Sequence, residues 1–266
     1  MRIGIFDSGL GGLIIAKSIV KAMPQYDYVY LGDTKRVPYG NRSHEAVYQF
    51  TREAVDYLFK KENCALVILA CNTASARALR RIQKDYKNTN KKVLGVLIPA
   101  AEGAAEFKRI GVLGTSGTVS SGAFPKEILK LWKNKPAGGR VKIFQNPAPL
   151  LVPLAEEGET KNALPFIKKY LQVFLNKKLD ALVLGCTHYP IFKQEIKKLL
   201  PRTIKIISQD EIVPKKLKNY LARHQEISKK LSKDKTTKIL VTDMTQSVKK
   251  LSQKWFGKAK PKLVSL

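Results

Sequence analysis

The chain has 266 residues, 44% of them hydrophobic, enough to bury a sizeable core and to form two domains; 49 Lys+Arg against 21 Asp+Glu give a formal net charge of +28. Three cysteines, an odd number without CxxC spacing, argue against a disulfide framework or a structural zinc site and suit a reducing compartment. Met1-Arg2 runs directly into an apolar strand and no apolar run reaches membrane-spanning length, so a cytoplasmic protein with no signal peptide and no membrane partner is expected.

Strand signals alternate with helical ones along the chain, as in a doubly wound α/β architecture. Short apolar strands are predicted over residues 2–6, 28–31, 66–70, 93–97, 110–113, 141–144, 181–185, 204–207 and 239–241. Amphipathic helices are predicted over 45–61, with Val47, Phe50, Ala54, Tyr57 and Leu58 on one face, and over 164–175, with Phe166, Ile167, Tyr170, Leu171 and Phe174. These stripes are core. About half of the positive excess falls in residues 193–266, where Lys far outnumbers Arg and no nucleic-acid-binding motif appears. A solvated basic face is expected, engaging nucleic acid at most non-specifically.

After the first strand comes Asp7-Ser8-Gly9-Leu10-Gly11-Gly12, a glycine turn that lacks the spacing of a dinucleotide fingerprint and suits close backbone approach to a small ligand. Asp7 could orient a catalytic group or cap a helix starting at Leu10. The second strand leads into Gly32-Asp33-Thr34 and Pro38-Tyr39-Gly40, a loop at a strand's carboxyl end. The run Leu66 to Ala70 ends abruptly in Cys71-Asn72-Thr73-Ala74-Ser75, which places a thiol at a strand-to-helix junction. There, the following residues offer N-cap oxygens for a helix, and the helix N-terminus would favour the thiolate. The same construction returns in Leu184-Gly185-Cys186-Thr187-His188-Tyr189-Pro190, and residues 3–9 are echoed by 110–117. Two related α/β halves are the economical reading. His188 is a candidate general acid or base.

Taken together and in this order, these motifs resemble glutamate racemase, of the aspartate/glutamate racemase superfamily. Agreement extends to Gly114-Thr115-Ser116-Gly117-Thr118, to Val152-Pro153-Leu154-Ala155-Glu156-Glu157-Gly158, and to the stretch from Thr242-Asp243 through Trp255-Phe256-Gly257. The resemblance implies two similar doubly wound α/β domains related by a pseudo-twofold axis, with the active site in the cleft between them. Residues 1–98 with 208–266 would form the first domain and 99–207 the second. It implies cofactor-independent interconversion of L- and D-glutamate, with neither metal nor pyridoxal, supplying D-glutamate for peptidoglycan. A homodimer is also implied.

Matched motif to motif, Cys71 and Cys186 become the catalytic acid/base pair, with Asp7 and His188 as assistants. Cys71 would serve D-glutamate and Cys186 L-glutamate. Asp7, Ser8, Tyr39, Gly40, Asn72, Thr73, Thr187 and His188 would line the substrate site, with Thr115 and Thr118 as further candidates. Glu156 would be a supporting acid unless neighbouring Glu157 takes that place. Cys64 matches no motif and is expected to be structural. Ala148 stands where many members of the family carry cysteine, and the N-terminus lacks the extension that some regulated members use.

Two thiols make chemical sense, because racemisation removes a proton from one face of the α-carbon and returns one to the other. Without an electron sink, preorganised donors must stabilise the carbanion-like transition state, a task for Asn72, Thr73 and Thr187. Two other readings compete: a two-cysteine racemase for aspartate or another small acid, and a binding protein using the basic surface.

Overall fold

The computed structural model of the protein describes residues 1–133, 140–257 and 260–266. Among the described residues, ten strands form two wholly parallel sheets. β1 (Arg2–Asp7), β2 (Tyr28–Gly32), β3 (Cys64–Leu69), β4 (Lys92–Gly95), β9 (Thr237–Val241) and β10 (Pro261–Leu263) make a six-stranded sheet in the order β10-β9-β2-β1-β3-β4. β5 (Arg109–Gly114), β6 (Lys142–Pro147), β7 (Ala181–Gly185) and β8 (Lys205–Ile207) make a four-stranded sheet in the order β6-β5-β7-β8.

The first four strands of the chain and the next four follow one plan. In each, the leading strand is flanked by the second on one side and the third on the other. The winding therefore reverses at β1 and again at β5, and in open α/β sheets the ligand crevice lies at the carboxyl ends beside such a reversal. Cys71 follows β3 and Cys186 follows β7, so the two thiols leave equivalent strands.

Strand parity sorts side chains onto the two faces of the larger sheet. Ile3, Ile5, Leu66 and Ile68 pack under the helices Gly12–Ala22, Gln209–Arg223 and Gln246–Phe256. Phe6, Val67 and Leu69 pack under His44–Lys60 and Leu79–Asp85. Both faces are covered, which is why the strands read as continuous apolar runs. Cys64 lies in this second layer, where a Cβ on Gly4 would come within 3.1 Å of its sulfur. The smaller sheet is likewise sandwiched, with Leu113, Leu182 and Leu184 on one face and Ile110, Val112 and Val183 on the other.

Several predicted bounds move. β4 stops at Gly95, because the apolar run through Val96 and Leu97 passes out of the sheet into the buried helix Leu97–Ala104. β3 begins at Cys64, ahead of the predicted 66. Helix His44–Lys60 buries Tyr48, Thr51, Val55 and Phe59 beside Val47, Ala54 and Leu58, leaving Phe50 and Tyr57 only partly covered. Phe166 is exposed, since helix Leu164–Leu175 turns Ile167, Leu171 and Phe174 inward. The first helix starts at Gly12 with no side-chain cap, so Asp7 is not the cap of a helix from Leu10. Among the described residues, no helix is long and apolar enough to cross a membrane, and no group of three His, Cys, Asp or Glu could hold a metal ion.

Candidate active site

A cavity of about 430 Å³ opens between the carboxyl ends of the two sheets. Of the predicted residues, Ser8, Tyr39, Gly40, Cys71, Asn72, Thr73, Thr115, Glu156, Cys186 and His188 line it. Asp7, Thr118 and Thr187 are not among the lining residues; each is buried behind them. Pro149, Leu150, Val152 and Pro153 add an apolar stretch to the wall, and Leu150 and Val37 leave apolar side chains exposed at its rim.

Cys71 occupies the N-cap of the short helix Asn72–Arg77, and the capping atom is the thiol itself: Sγ accepts from the Ala74 N–H at 3.4 Å. The expected oxygen caps from Asn72, Thr73 or Ser75 are not used there. The Cys71 thiol also donates to Ser8 Oγ at 3.3 Å. These contacts do not make it a resting thiolate. Burial and the nearby Asp7 charge push its pKa up to about 12, outweighing the Ser8 and Ala74 hydrogen bonds. Contrary to the sequence expectation, Cys71 rests protonated.

Asp7 Oδ2 accepts from the Gly9 N–H at 3.1 Å, and Oδ1 has no partner. Burial raises its carboxyl above the ordinary range, opposed by the charge of His188 and the N–H groups of Gly12 and Gly9. Asp7 is thus a buried carboxyl between the two halves of the site, coupled electrostatically to Cys71 on one side and to His188 on the other.

The second thiol has a different setting. Cys186 Sγ lies 3.7 Å from His188 Nδ1, and His188 Nε2 lies 3.0 Å from Glu156 Oε1. Glu156 is thus the carboxylate in contact with the imidazole, whereas Glu157 is the C-cap residue of helix Leu151–Glu156. Burial disfavours the imidazolium, but the hydrogen bonds to Cys186 and Glu156 overcome it and raise the His188 pKa to about 10. At neutral pH, His188 holds both protons, with Nδ1–H toward Cys186 and Nε2–H donated to Glu156. The imidazole and the Trp255 ring meet nearly at right angles, with centroids 5.5 Å apart. Thr187 Oγ1 lies 3.5 Å from His188 Nδ1, so its hydroxyl faces the imidazole.

Contacts across the cleft join the halves. A Cβ on Gly11 would come within 2.5 Å of the His188 ring and of Thr187 Oγ1, so the turn after β1 meets the turn after β7 only as glycine. Thr73 Oγ1 lies 3.0 Å from Thr115 Oγ1, which in turn lies 3.0 Å from Thr118 Oγ1. Arg77 donates to Gly117 O and Ser120 Oγ on the far side and to Arg42 O on its own. Tyr39 donates its hydroxyl to Asp33 Oδ2 at 2.5 Å, and Arg36 Nε and Thr242 Oγ1 hold the same carboxylate.

Arg77, Asp33 and Trp255 therefore support the site; Asp33 and Trp255 fall within motif stretches named above that carried no site role for them, and Arg77 falls in none. An arginine on a short helix, or an aromatic residue near the end of the chain, has meaning only once the topology brings it across.

The sequence profile of the Asp/Glu/Hydantoin racemase family matches residues 13–210. The glutamate racemase of Sulfurihydrogenibium sp. (strain YO3AOP1) is 37% identical over 271 residues, covering 100% of this chain and 98% of that protein. That of Aquifex pyrophilus is 41% identical over 226 residues, 83% of this chain and 84% of that one. The crystal structure of glutamate racemase from Francisella tularensis subsp. tularensis SCHU S4 in complex with D-glutamate matches with a TM-score of 0.88 at 30% identity, covering 99% of this chain and 97% of that chain. Similarity that runs the full length in both sequence and fold places the chain in the Asp/Glu/hydantoin racemase family, among its glutamate racemases.

Proposed function

We propose that the chain racemises glutamate with its two cleft thiols as opposed acid/bases. One sulfur takes the α-proton, breaking C–H and forming S–H. The other thiol then gives its own proton to the opposite face of the carbanion. The observation that carries this reading is the pairing of Cys71 and Cys186, which follow equivalent strands and line one cavity. Their unequal surroundings suit unequal tasks. Cys71, kept protonated by burial and Asp7, is ready to donate when Cys186 attacks L-glutamate, and in the reverse direction Cys71 serves D-glutamate. The proton handled at Cys186 is shared with His188, which Glu156 steadies. Asn72, Thr73 and Thr115 supply donors along the wall for the carboxylates and the developing charge.

Under this reading the enzyme needs no cofactor, works in the cytoplasm and supplies D-glutamate for peptidoglycan. We further propose a homodimer, and nucleic-acid association that is non-specific and lost near physiological salt. The two domains are proposed to comprise residues 1–98 with 208–266 and residues 99–207, because β9 and β10 join the first sheet.

The test is racemisation in deuterated water with chiral separation of products and no added cofactor. Solvent deuterium should appear first on the product enantiomer, and Cys71→Ala or Cys186→Ala should abolish turnover. Wild-type rates in both directions from either alanine variant would sink the two-thiol mechanism. Turnover of aspartate in place of glutamate would instead reassign the substrate.

A further inference from the structure

Asn72, the residue after Cys71, does not face the cavity as a free amide. Its Nδ2 donates to Gln209 Oε1 at 2.7 Å, while Gln209 Nε2 donates back to Asn72 Oδ1 at 2.6 Å. Gln209 is fully buried and begins the helix Gln209–Arg223, just after β8, where the chain returns from the smaller sheet to the larger. The second hydrogen on its Nε2 points at Val96 O, 3.4 Å away, where the chain leaves β4 for the smaller sheet.

That third contact decides the orientation of both amides. A backbone carbonyl only accepts, so turning Gln209 over would set oxygen against oxygen at Val96. With Gln209 held one way, its Oε1 requires the Nδ2 of Asn72, and its Nε2 requires Oδ1. Asn72 is left with one N–H for a ligand in the cavity it lines. A lone amide of this kind would otherwise choose between two faces, one offering a donor to a carboxylate and the other an acceptor that repels it.

We propose that Gln209 is a positioning residue for the reaction: it fixes the orientation of Asn72, and so the donor offered to substrate, by referring it to the two points where the chain passes between the sheets. The inference rests on the reading of Asn72 as a substrate contact. It adds a residue that never touches the substrate, and it makes the relative placement of Val96 and Gln209 part of the binding geometry.

The full-length enzyme tests this with Gln209→Leu, Asn72→Ala, the double variant and Gln209→Glu, each assayed for kcat and KM on L-glutamate. Gln209→Leu should lower kcat/KM about tenfold, mainly through KM, the scale of one misdirected hydrogen bond. The double variant should be no worse than Asn72→Ala alone. Losses that multiply would overturn the proposal, because Gln209 would then act without Asn72. A wild-type kcat/KM for Asn72→Ala would instead refute the substrate contact on which it rests.

Gln209→Glu gives a readout that simple loss of packing does not move, and it carries the test if the leucine variant fails to fold. A protonated carboxyl reproduces one donor and one acceptor toward Asn72, whereas a carboxylate offers only acceptors. The kcat/KM of Gln209→Glu should therefore fall as pH rises through titration of that carboxyl, a limb absent from the wild type. A profile parallel to wild type would overturn the assignment.

Discussion

Glu156→Gln isolates the charge behind His188. The pair lies at 3.0 Å, with the glutamate side chain 38% exposed and the histidine 9% exposed. Two unit charges at that distance in a fully aqueous dielectric interact by about 1.4 kcal/mol, and the exposure of Glu156 keeps the interaction close to that floor. Glutamine retains an oxygen to accept from Nε2–H but removes the charge, so the His188 pKa should drop by about one unit from its wild-type position near 10. Because raising the pH removes the proton that faces Cys186, the alkaline limb of kcat/KM for L-glutamate should move to lower pH by the same amount. A pH series by chiral chromatography reads the limb, and the His188 carbon resonance followed by NMR reads the pKa directly. Glu157→Gln should leave both unchanged. If the resonance moved while the kinetic limb stayed, the imidazolium would have no part in the step; if neither moved, Glu156 would not be its partner.

Two further outcomes follow from buried carboxylates. Asp7→Asn keeps an oxygen for the Gly9 N–H but removes a charge that holds the Cys71 proton, so the fold should survive. Turnover should fall, and alkylation of Cys71, followed by mass spectrometry, should begin at lower pH than in the wild type; unchanged turnover and alkylation would leave Asp7 a purely structural role. Asp27→Ala removes the carboxylate that accepts from Thr236 N, Thr236 Oγ1 and Asp234 N, pinning the loop ahead of β9, and should cost about 2–3 kcal/mol in denaturant melts at neutral pH. Burial would raise the Asp27 pKa, yet the bonds from Ser232, Thr236 and Asp234 hold it well below its ordinary 3.8. Its contribution is therefore full above pH about 4 and lost as pH falls below that, so the variant should lack this part of the acid sensitivity; equal midpoints at neutral pH would refute the clamp.

Much of this architecture is readable from the chain because parallel strands buried on both faces leave apolar runs, as β2, β3 and β7 do over their whole length. β10 carries none. Its three residues, Pro261 to Leu263, pair only with β9 at the sheet edge and are largely exposed, so neither burial nor alternation marks them. The overrun of β4 has the opposite cause, since a buried helix follows a buried strand and hydrophobicity does not change at the joint. At the site, the residues written into strand-end motifs were recoverable, whereas Gln209 was not. A glutamine at a helix start carries no local signal, and its partners Val96 and Asn72 lie more than a hundred residues away. The proton held on Cys71 is not legible in the chain, because the helix end is visible in sequence while the burial that outweighs it is a product of the fold.

Cys71 also places two demands on a single atom. Sulfur is a poor acceptor as a thiol and a better one as an anion, so the hold of Cys71 on the Ala74 N–H, the cap of the helix Asn72–Arg77, is weaker with the proton on than with it off. Serine would be the superior end-piece for such a helix, since its hydroxyl belongs to the strongest N-cap class. A stability screen that rewards a firmer helix would therefore favour Cys71→Ser, the change that removes the ionisable sulfur. Under the two-thiol mechanism proposed above, durability and turnover pull position 71 in opposite directions, and the weak sulfur cap is where the chain has settled between them.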